Sequence, residues 1–215
     1  MKQFKSDSSL PKVSRAQRQA ETREAIVGQA RTMFLDLGYA ATSLDKVALE
    51  AGYSKGAVYS NFEGKEELCL EVLDSIHREK VRGVAKIFSG EGDLDMQLDV
   101  FVGWAQDELV DSRWTTLEME FAAVARSNPW VARQLVSRHR EIAELIRLLV
   151  VEISQKFNLR GQENAGRTAT ALLSVGIGLG ALRSLDPKID MNVFRDVVRN
   201  MIEASGVKLG RTEAS

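Results

Sequence analysis

Apolar side chains recur at intervals of three to four residues along most of this chain, and no stretch alternates apolar with polar residues as a half-buried β-strand does. Over residues 22–37 one helical face carries Ile26, Ala30, Met33, Phe34 and Leu37. Gly38 follows directly, and glycine is favoured just after a helix because it adopts the left-handed conformation without strain. We therefore predict a helix over 22–37 and an all-α fold for the whole chain.

The composition is that of a folded globular protein. The 215 residues are 44% hydrophobic and 27% charged, which provides for a sizeable core and excludes the disordered, collagen-like and disulfide-rich classes. Cys69 is the single cysteine, so neither an intrachain disulfide nor a cysteine-cluster metal site can form. The longest run without a charge has 15 residues, between Arg167 and Arg183, whereas a membrane span needs roughly 20 apolar residues. Since the N terminus also lacks an apolar signal segment, we expect a cytoplasmic protein without membrane contact.

The charge is unevenly distributed, although the net charge is only −1. Residues 1–65 carry ten Lys or Arg and seven Asp or Glu, whereas the remainder carries nineteen and twenty-three. Five of these basic residues and a single acidic residue fall within the first twenty positions. We predict that residues 1–20 form a basic flexible arm that contacts phosphate, with a solvated tail as the alternative.

Two short helical segments follow the first helix. Thr42 is predicted to cap the second helix, and Gly52 ends it after about eight residues. Ser54 is predicted to cap a third helix over 55–61, which places only three residues between the two segments. That spacing predicts a helix-turn-helix, whose second helix enters the DNA major groove. A plain three-helix bundle is the alternative, because it also contains short helices joined by tight turns.

Lys65 opens a long helix predicted over 65–88. A lysine in the first turn of a helix lies at the unfavourable end of the helix dipole, where an anion is favoured. A DNA phosphate would give the lysine a reason to be there. The alternative is an exposed lysine that is tolerated at small cost.

The stretch TSLDKVALEAGYSKGAVYSNFEGKEEL, residues 42–68, closely resembles the DNA-binding signature of the tetracycline-repressor (TetR) family of bacterial transcriptional regulators. The resemblance covers roughly residues 20–70. It implies that these residues lie against DNA bases or backbone: Thr42, Ser54, Lys55, Gly56, Ala57, Tyr59, Ser60, Asn61 and Lys65. Lys55 and Asn61 can donate to base edges, and Gly56 permits a close backbone approach to phosphate. Ala57 stands where many members have a threonine, so base preferences cannot be copied from any relative.

The resemblance also implies the domain organisation. A helix-turn-helix domain is expected over 21–66, a helical effector-binding and dimerisation domain over 67–208, and a flexible tail over 209–215. Within the second domain, helices are predicted over 94–110, 112–127 and 129–157, the last capped by Asn128 and begun by Pro129. In the family the corresponding helices surround a small-molecule pocket.

Bulky aromatic and polar residues on or beside the apolar faces of these helices are the candidates for a pocket lining. They are Trp104, Glu108, Trp114, Glu118, Phe121 and His139. Glu118 lies one helical turn after Trp114, an arrangement suited to a cationic ligand, although the effector is otherwise expected to be hydrophobic. The alternative is that the tryptophans belong to the core and Glu118 is a solvated flank.

The last two helices, predicted over 162–184 and 190–205, carry small and apolar residues. Apolar faces at a chain end suggest a four-helix interface with a second copy of the chain. The predicted interface residues are Leu172, Gly176, Leu179, Gly180, Phe194, Val197, Val198 and Met201. The alternative is that both helices complete the core of one chain.

These observations predict a homodimeric transcriptional regulator, a repressor, that binds double-stranded DNA at a palindromic operator and is released by a small-molecule effector. One alternative is a ligand-independent DNA-binding dimer whose second domain only dimerises or contacts proteins. Another is a small helical enzyme built around Glu118 and His139. No nucleophile elbow, phosphate loop or zinc signature is present, and neither His77 nor His139 has a partner at a recognised ligand spacing. We therefore expect no enzymatic activity, no metal and no cofactor.

Overall fold

The computed structural model describes residues 14–106, 112–159, 162–190 and 192–204. Within these ranges every regular element is helical, which confirms the all-α prediction. The helices are α1 Arg15–Ala41, α2 Leu44–Glu50, α3 Lys55–Tyr59, α4 Lys65–Ser89, α5 Leu94–Trp104, α6 Ser112–Ala125, α7 Pro129–Lys156, a short 3-10 turn Gln162–Asn164, α8 Ala165–Leu185 and α9 Asn192–Ala204. Residues 1–13 of the predicted arm, the pocket candidate Glu108 and the predicted tail over 209–215 lie outside the described residues.

Helix α1 begins earlier than predicted. The Ser14 hydroxyl caps it by accepting a hydrogen bond from the backbone N–H of Gln17 (3.1 Å). The prediction of a flexible arm is therefore wrong for residues 15–20, which form the first turns of this helix. At the other end Gly38 has φ +82°, the left-handed conformation expected there, and the chain makes one more turn before Thr42.

A first hydrophobic core joins α1–α4 to α6 and α7. Its largest fully buried side chains include Phe34, Phe62, Leu68 and Phe121. Arg23 adds a polar link from α1 to α4, because its guanidinium bonds Glu67 and Glu71 (3.3 and 3.0 Å) and lies over the Phe62 ring. Since Phe121 belongs to α6, the packing of the helix-turn-helix region continues into the second half of the chain.

A second core lies between the end of α4 and helices α5, α7, α8 and α9. It contains Phe88, Leu98, Phe101, Leu179 and Phe194. This second core borders the cavity described below.

The predicted dimer-interface residues differ in where they lie within one chain. Leu179, Gly180 and Phe194 are buried within one chain. Gly180 is required there, since a Cβ at this position would come within 2.4 Å of the Thr115 side chain of α6. Four more predicted interface residues line the cavity: Leu172, Gly176, Val198 and Met201. The four cavity-lining residues are only partly buried, as is Val197, so the interface set as a whole stays a prediction.

Helix α8 is long and apolar enough, by length and composition alone, to cross a membrane. In this structure it packs against α6, α7 and α9. The same apolar character is expected of a core or interface helix in a water-soluble fold.

Candidate nucleic-acid interface and ligand cavity

Helices α2 and α3 form a helix-turn-helix. Gly52 in the turn has φ +72°, and the N–H of Tyr53 donates to the carbonyl of Ala48 (2.9 Å). The Ser54 hydroxyl accepts from the N–H of Ala57 (3.1 Å), which confirms the predicted cap of α3. The cap predicted for α2 is wrong by one residue: the Ser43 hydroxyl, not that of Thr42, accepts from Lys46 N–H (3.3 Å).

The outer face of α3 carries the exposed residues Ser54, Lys55, Gly56, Tyr59 and Ser60. Tyr59 is 56% exposed, so its phenol projects from the surface. The Lys55 ammonium pairs with the Asp45 carboxylate of α2 (2.6 Å), and this contact holds the first turn of α3 against α2. The pair must open if Lys55 is to reach a base.

Two further predicted contact residues are engaged with their own helix. The Asn61 amide nitrogen donates to the carbonyl of Ala57 (2.8 Å), and the Ser60 hydroxyl donates to the same carbonyl (2.9 Å). Ala57 itself is half-buried. The second N–H of the Asn61 amide and its side-chain carbonyl are therefore left for a base edge.

Thr42 faces inward in this structure. It is 1% exposed, and its hydroxyl lies 2.9 Å from the carbonyl of Gly38 and 3.3 Å from that of Met33. The hydroxyl therefore donates to the last turns of α1 and does not reach the surface. This contact fixes the angle at which the chain leaves α1 for α2.

Lys65 caps the end of α1. Its ammonium donates to the carbonyls of Tyr39 (2.9 Å) and Thr42 (3.0 Å) and lies 4.0 Å from the centre of the Tyr39 ring. Carbonyls at a helix C terminus attract cations, which explains why a lysine is stable at the start of α4. Sequence reasoning missed this role because the two carbonyls lie more than twenty positions away. An ammonium has three donors, so one remains for a phosphate.

Tyr39 connects this region to α6. Its backbone N–H donates to the Glu120 carboxylate (2.6 Å), its hydroxyl donates to Glu66 (3.0 Å), and its ring packs edge-on against Phe121. Burial, together with the nearby Glu66 carboxylate, raises the pKa of Tyr39 far above its usual value. Nothing in the sequence pattern marked Tyr39 as a functional residue. It is the point at which the helix-turn-helix, α4 and α6 meet.

A cavity of about 210 Å³ lies among helices α4 to α9. Its wall is almost entirely apolar and includes Val84, Phe88, Leu98, Phe101, Ile146 and Leu172. A mainly apolar enclosure with few polar groups is typical of small-molecule sites. The cavity favours an effector-binding domain over the ligand-independent alternative.

Among the described pocket candidates, only Trp114 lines this cavity. Trp104 is half-buried and packs against Gly83 of α4, where a Cβ would come within 2.8 Å of the indole. Phe121 is fully buried in the first core, against Tyr39. Glu118 and His139 lie behind the wall, so these four assignments to the lining are wrong in this structure.

Glu118 is nevertheless central to the polar end of the cavity. Its carboxylate is 5% exposed and lies between two imidazoles, with His139 Nε2 at 3.1 Å and His77 Nε2 at 3.6 Å. Burial alone would raise the pKa of Glu118, but the contacts with His139 and His77 outweigh it and lower the pKa to about 2. The hydrogen bond to Glu118 raises the pKa of His139, although partial burial opposes this. Helices α4, α6 and α7 are joined at this cluster.

The cation beside Trp114 belongs to the protein itself. The Lys80 ammonium lies 5.3 Å from the centre of the Trp114 ring, and the His77 ring meets the same indole edge-on at 5.7 Å. The cationic ligand was predicted because Glu118 follows Trp114 by one turn. The structure gives no support for a cationic ligand at this place, since two histidines contact Glu118 and the Lys80 ammonium lies over the Trp114 ring.

The fold and the exposed face of α3 are those of a helix-turn-helix DNA-binding domain. The family model described as bacterial regulatory proteins, tetR family, matches residues 26–72. This match covers the DNA-binding region, from within α1 to the first turns of α4.

Two curated relatives extend the similarity beyond the DNA-binding region. The HTH-type transcriptional repressor Rv1474c of Mycobacterium tuberculosis is 27% identical over 134 residues, which are 62% of this chain and 66% of the relative. The HTH-type transcriptional regulator UidR of Escherichia coli is 23% identical over 158 residues, 74% of this chain and 79% of the relative. Both are regulators, so the enzyme alternative has no support among them.

Solved structures share the fold. A transcriptional regulator from Rhodococcus sp. RHA1 superposes with a TM-score of 0.66 at 22% identity, covering 88% of this chain and 99% of that one. Salmonella enterica GusR superposes with a TM-score of 0.59 at 21% identity, covering 90% and 98%. Both halves of the chain therefore share the fold of these solved structures.

Proposed function

We propose that this regulator is a cytoplasmic repressor that binds a palindromic operator as a homodimer and is released when an apolar effector enters the cavity. The proposal rests on one observation: helices α4 and α6 each contact both the DNA-binding region and the cavity. Helix α4 holds the end of α1 through Lys65 and lines the cavity through His77. Helix α6 holds Tyr39 through Glu120 and lines the cavity through Trp114.

The exposed face of α3 is the proposed reading surface. Ser54, Tyr59 and Lys65 are suited to phosphate, Lys55 and Asn61 to base edges, and Gly56 to close approach of the backbone. In a two-fold dimer, two such faces would enter successive major grooves about 34–36 Å apart, or a multiple of that distance. Obstruction of polymerase by the bound dimer would make the protein a repressor.

The dimer is proposed to form through the outward faces of α8 and α9. Leu182 and Leu185 of α8 are 53% and 80% exposed, and Val193 of α9 is 45% exposed. Large apolar side chains so exposed on neighbouring helices are typical of an interface between copies of a chain. We propose these residues for the interface in addition to the partly exposed members of the set predicted from the sequence.

Effector release is proposed as a linkage between two states of the dimer. An effector that binds better when the two α3 helices are wrongly spaced weakens DNA binding, and DNA weakens effector binding by the same factor. The cavity walls formed by α4 and α6 make the two sites parts of one packed unit.

Selection of duplexes from a random DNA pool at physiological salt, followed by sequencing, tests the proposal. We expect an enriched inverted repeat, bound by a dimer in sedimentation analysis. Tyr59→Phe should weaken binding of the selected duplex, whereas Tyr53→Phe, in the half-buried turn, serves as the matched control. Failure of a folded protein to enrich any sequence would contradict operator recognition.

A further inference from the structure

The hydroxyl of Ser154, in α7, differs from those of other serines within helices. Ser75, Ser174 and Ser184 each donate to a backbone carbonyl three or four positions earlier, at 2.9, 2.8 and 2.6 Å. Ser154 also lies inside a helix and has such carbonyls before it. Its hydroxyl nevertheless has no hydrogen-bond partner among the described residues. The side chain therefore does not bond back to its own helix.

This hydroxyl opens to the cavity. Ser154 lines the cavity wall and is 6% exposed. Packing closes off both ring nitrogens of His77 and Oε2 of Glu118 completely, but it does not close off Ser154 Oγ. Because nearly all of the residue is buried, the surface that the hydroxyl keeps faces the cavity. Buried polar groups are normally satisfied, so a hydroxyl without a partner in an apolar wall points to a ligand group.

Ser154 stands at the end of an elongated cavity. The lining residues of α7 run from Ile142 to Ser154, which is about 18 Å at 1.5 Å per residue. Those of α4 run from His77 to Phe88, about 16 Å. The Lys156 ammonium donates to the carbonyl of Phe88 (2.7 Å), so the two helices end side by side. Ser154 therefore lies at the end far from His77 and from the DNA-binding helices.

The surroundings of Ser154 exclude a charged ligand group. The second core, which includes Phe88, forms this end of the cavity. Lys80 is the one lining residue with a permanent charge in the described part of the chain, and it lies over the Trp114 ring at the other end. Lys156 is not in the wall, since its ammonium donates to backbone carbonyls at the end of α4. A charged group beside Ser154 would lose its hydration without gaining an opposite charge, which is strongly unfavourable.

We propose that the effector is an uncharged, elongated and mainly apolar molecule whose terminal hydroxyl or carbonyl group hydrogen-bonds to Ser154 Oγ. This proposal rests on the proposed effector-binding function. A serine hydroxyl both donates and accepts, so it suits either group. An engineered cavity of roughly 150 Å³ binds the six carbons of benzene, so a cavity of about 210 Å³ holds roughly eight or nine heavy atoms. Alcohols and para-alkylphenols of that size represent the ligand class.

Two probes of the same shape isolate the hydrogen bond. para-Ethylphenol and para-ethyltoluene differ only in that a methyl group replaces the hydroxyl, and titration calorimetry measures the binding of each. A methyl group is more hydrophobic than a hydroxyl, so the hydrogen bond is measured by the change in the affinity ratio between the wild-type protein and Ser154→Ala. We expect this variant to weaken binding of the phenol about fivefold to tenfold relative to binding of the toluene.

Thr168→Val is the matched control. Thr168 carries the second hydroxyl among the described lining residues, but it is only half-buried, and valine keeps its size. This variant should leave the affinity ratio unchanged. Ser154→Ala should be at least as stable as the wild-type protein, because no hydrogen bond within the chain is lost and alanine favours a helix. A clearly lower melting temperature would mean that the hydroxyl is bonded within the free protein, which contradicts the proposal.

Other results would also overturn the proposal. An unchanged affinity ratio in Ser154→Ala would exclude the hydrogen bond, and an equal change in Thr168→Val would remove its assignment to Ser154. Tighter binding of para-ethylbenzoate or of para-ethylbenzylammonium than of the phenol would show that the site selects a charge. If the protein bound its selected duplex but neither neutral probe, the ligand class would be wrong while the DNA-binding function stood. If no duplex were enriched, the proposed function itself would fail.

Discussion

Replacing Gly56 with alanine is expected to raise the stability of the folded protein and to weaken DNA binding. Gly56 lies in α3, and a Cβ at this position would have Ser54 Oγ at 3.9 Å as its nearest contact, an ordinary van der Waals distance. Alanine is favoured over glycine inside a helix by about 0.5–1 kcal/mol. In a chain of this size that corresponds to a rise in melting temperature of roughly 1–4 °C. Packing in the free protein therefore does not require a glycine at position 56. A close approach of the α3 backbone to DNA would require one.

The expected loss of operator affinity is tenfold or more, equivalent to about 1.4 kcal/mol, because the added methyl group separates the α3 backbone from the DNA. Fluorescence anisotropy with the selected duplex measures the affinity, and urea denaturation measures the stability. Gly28→Ala is the matched control: Gly28 is exposed in α1 with nothing within 4 Å of the added Cβ, so the same gain in stability should leave DNA binding unchanged. Undiminished operator affinity in Gly56→Ala would refute the close-approach argument, and a loss of stability would refute the steric one.

Further expectations concern other residues of the two sites. Thr42→Val should lower the free energy of unfolding by about 1–3 kcal/mol, measured by urea denaturation, because it leaves buried carbonyls of α1 without their donor. Lys65→Ala should weaken all duplexes about equally and lower the salt dependence of binding by about one ion, and an unchanged salt slope would rule out the phosphate contact. Asn61→Ala should alter the base preference recovered by duplex selection more than the total affinity. Since the folded pKa of Glu118, about 2, lies below its ordinary value of 4.5, its stabilisation is present above pH 4.5 and is lost as the pH falls toward 2. The free energy of unfolding, measured by urea denaturation over this pH range, should fall further for the wild-type protein than for Glu118→Gln, by on the order of 2 kcal/mol.

The helices were predictable because their signals are local. The cap at Ser54, the glycine that follows α2 and the apolar spacing all lie within a few positions of the elements that they specify. The error in the cap of α2 arose because two neighbouring residues offered the same chemistry. Ser43 and Thr42 both carry hydroxyls, and only tertiary packing, which buries Thr42 against α1, decides that Ser43 forms the cap.

The site residues were less predictable because their partners are distant in sequence. Lys65 is held by carbonyls of Tyr39 and Thr42, and Glu118 is held by histidines of two other helices. No periodic pattern reports such pairs. An apolar residue on α8 or α9 has the same local pattern whether it faces the cavity, the core or a second chain, so the local pattern does not separate these three environments.

The geometry of α4 indicates how small a displacement would couple the cavity to the DNA-binding face in the proposed mechanism. His77 and Lys65 lie twelve positions apart on this helix, which is about 18 Å at 1.5 Å per residue. If α4 tilts about His77 by about 5°, Lys65 moves by about 1.6 Å, because a packed helix moves as a rigid rod. A shift of that size breaks hydrogen bonds of 2.9 and 3.0 Å to the last turn of α1. The turn that Lys65 holds leads directly into α2 and α3. An effector therefore needs only to press Val84 and Phe88, which line the cavity on the far side of His77 from Lys65, outward for the reading face to change its position.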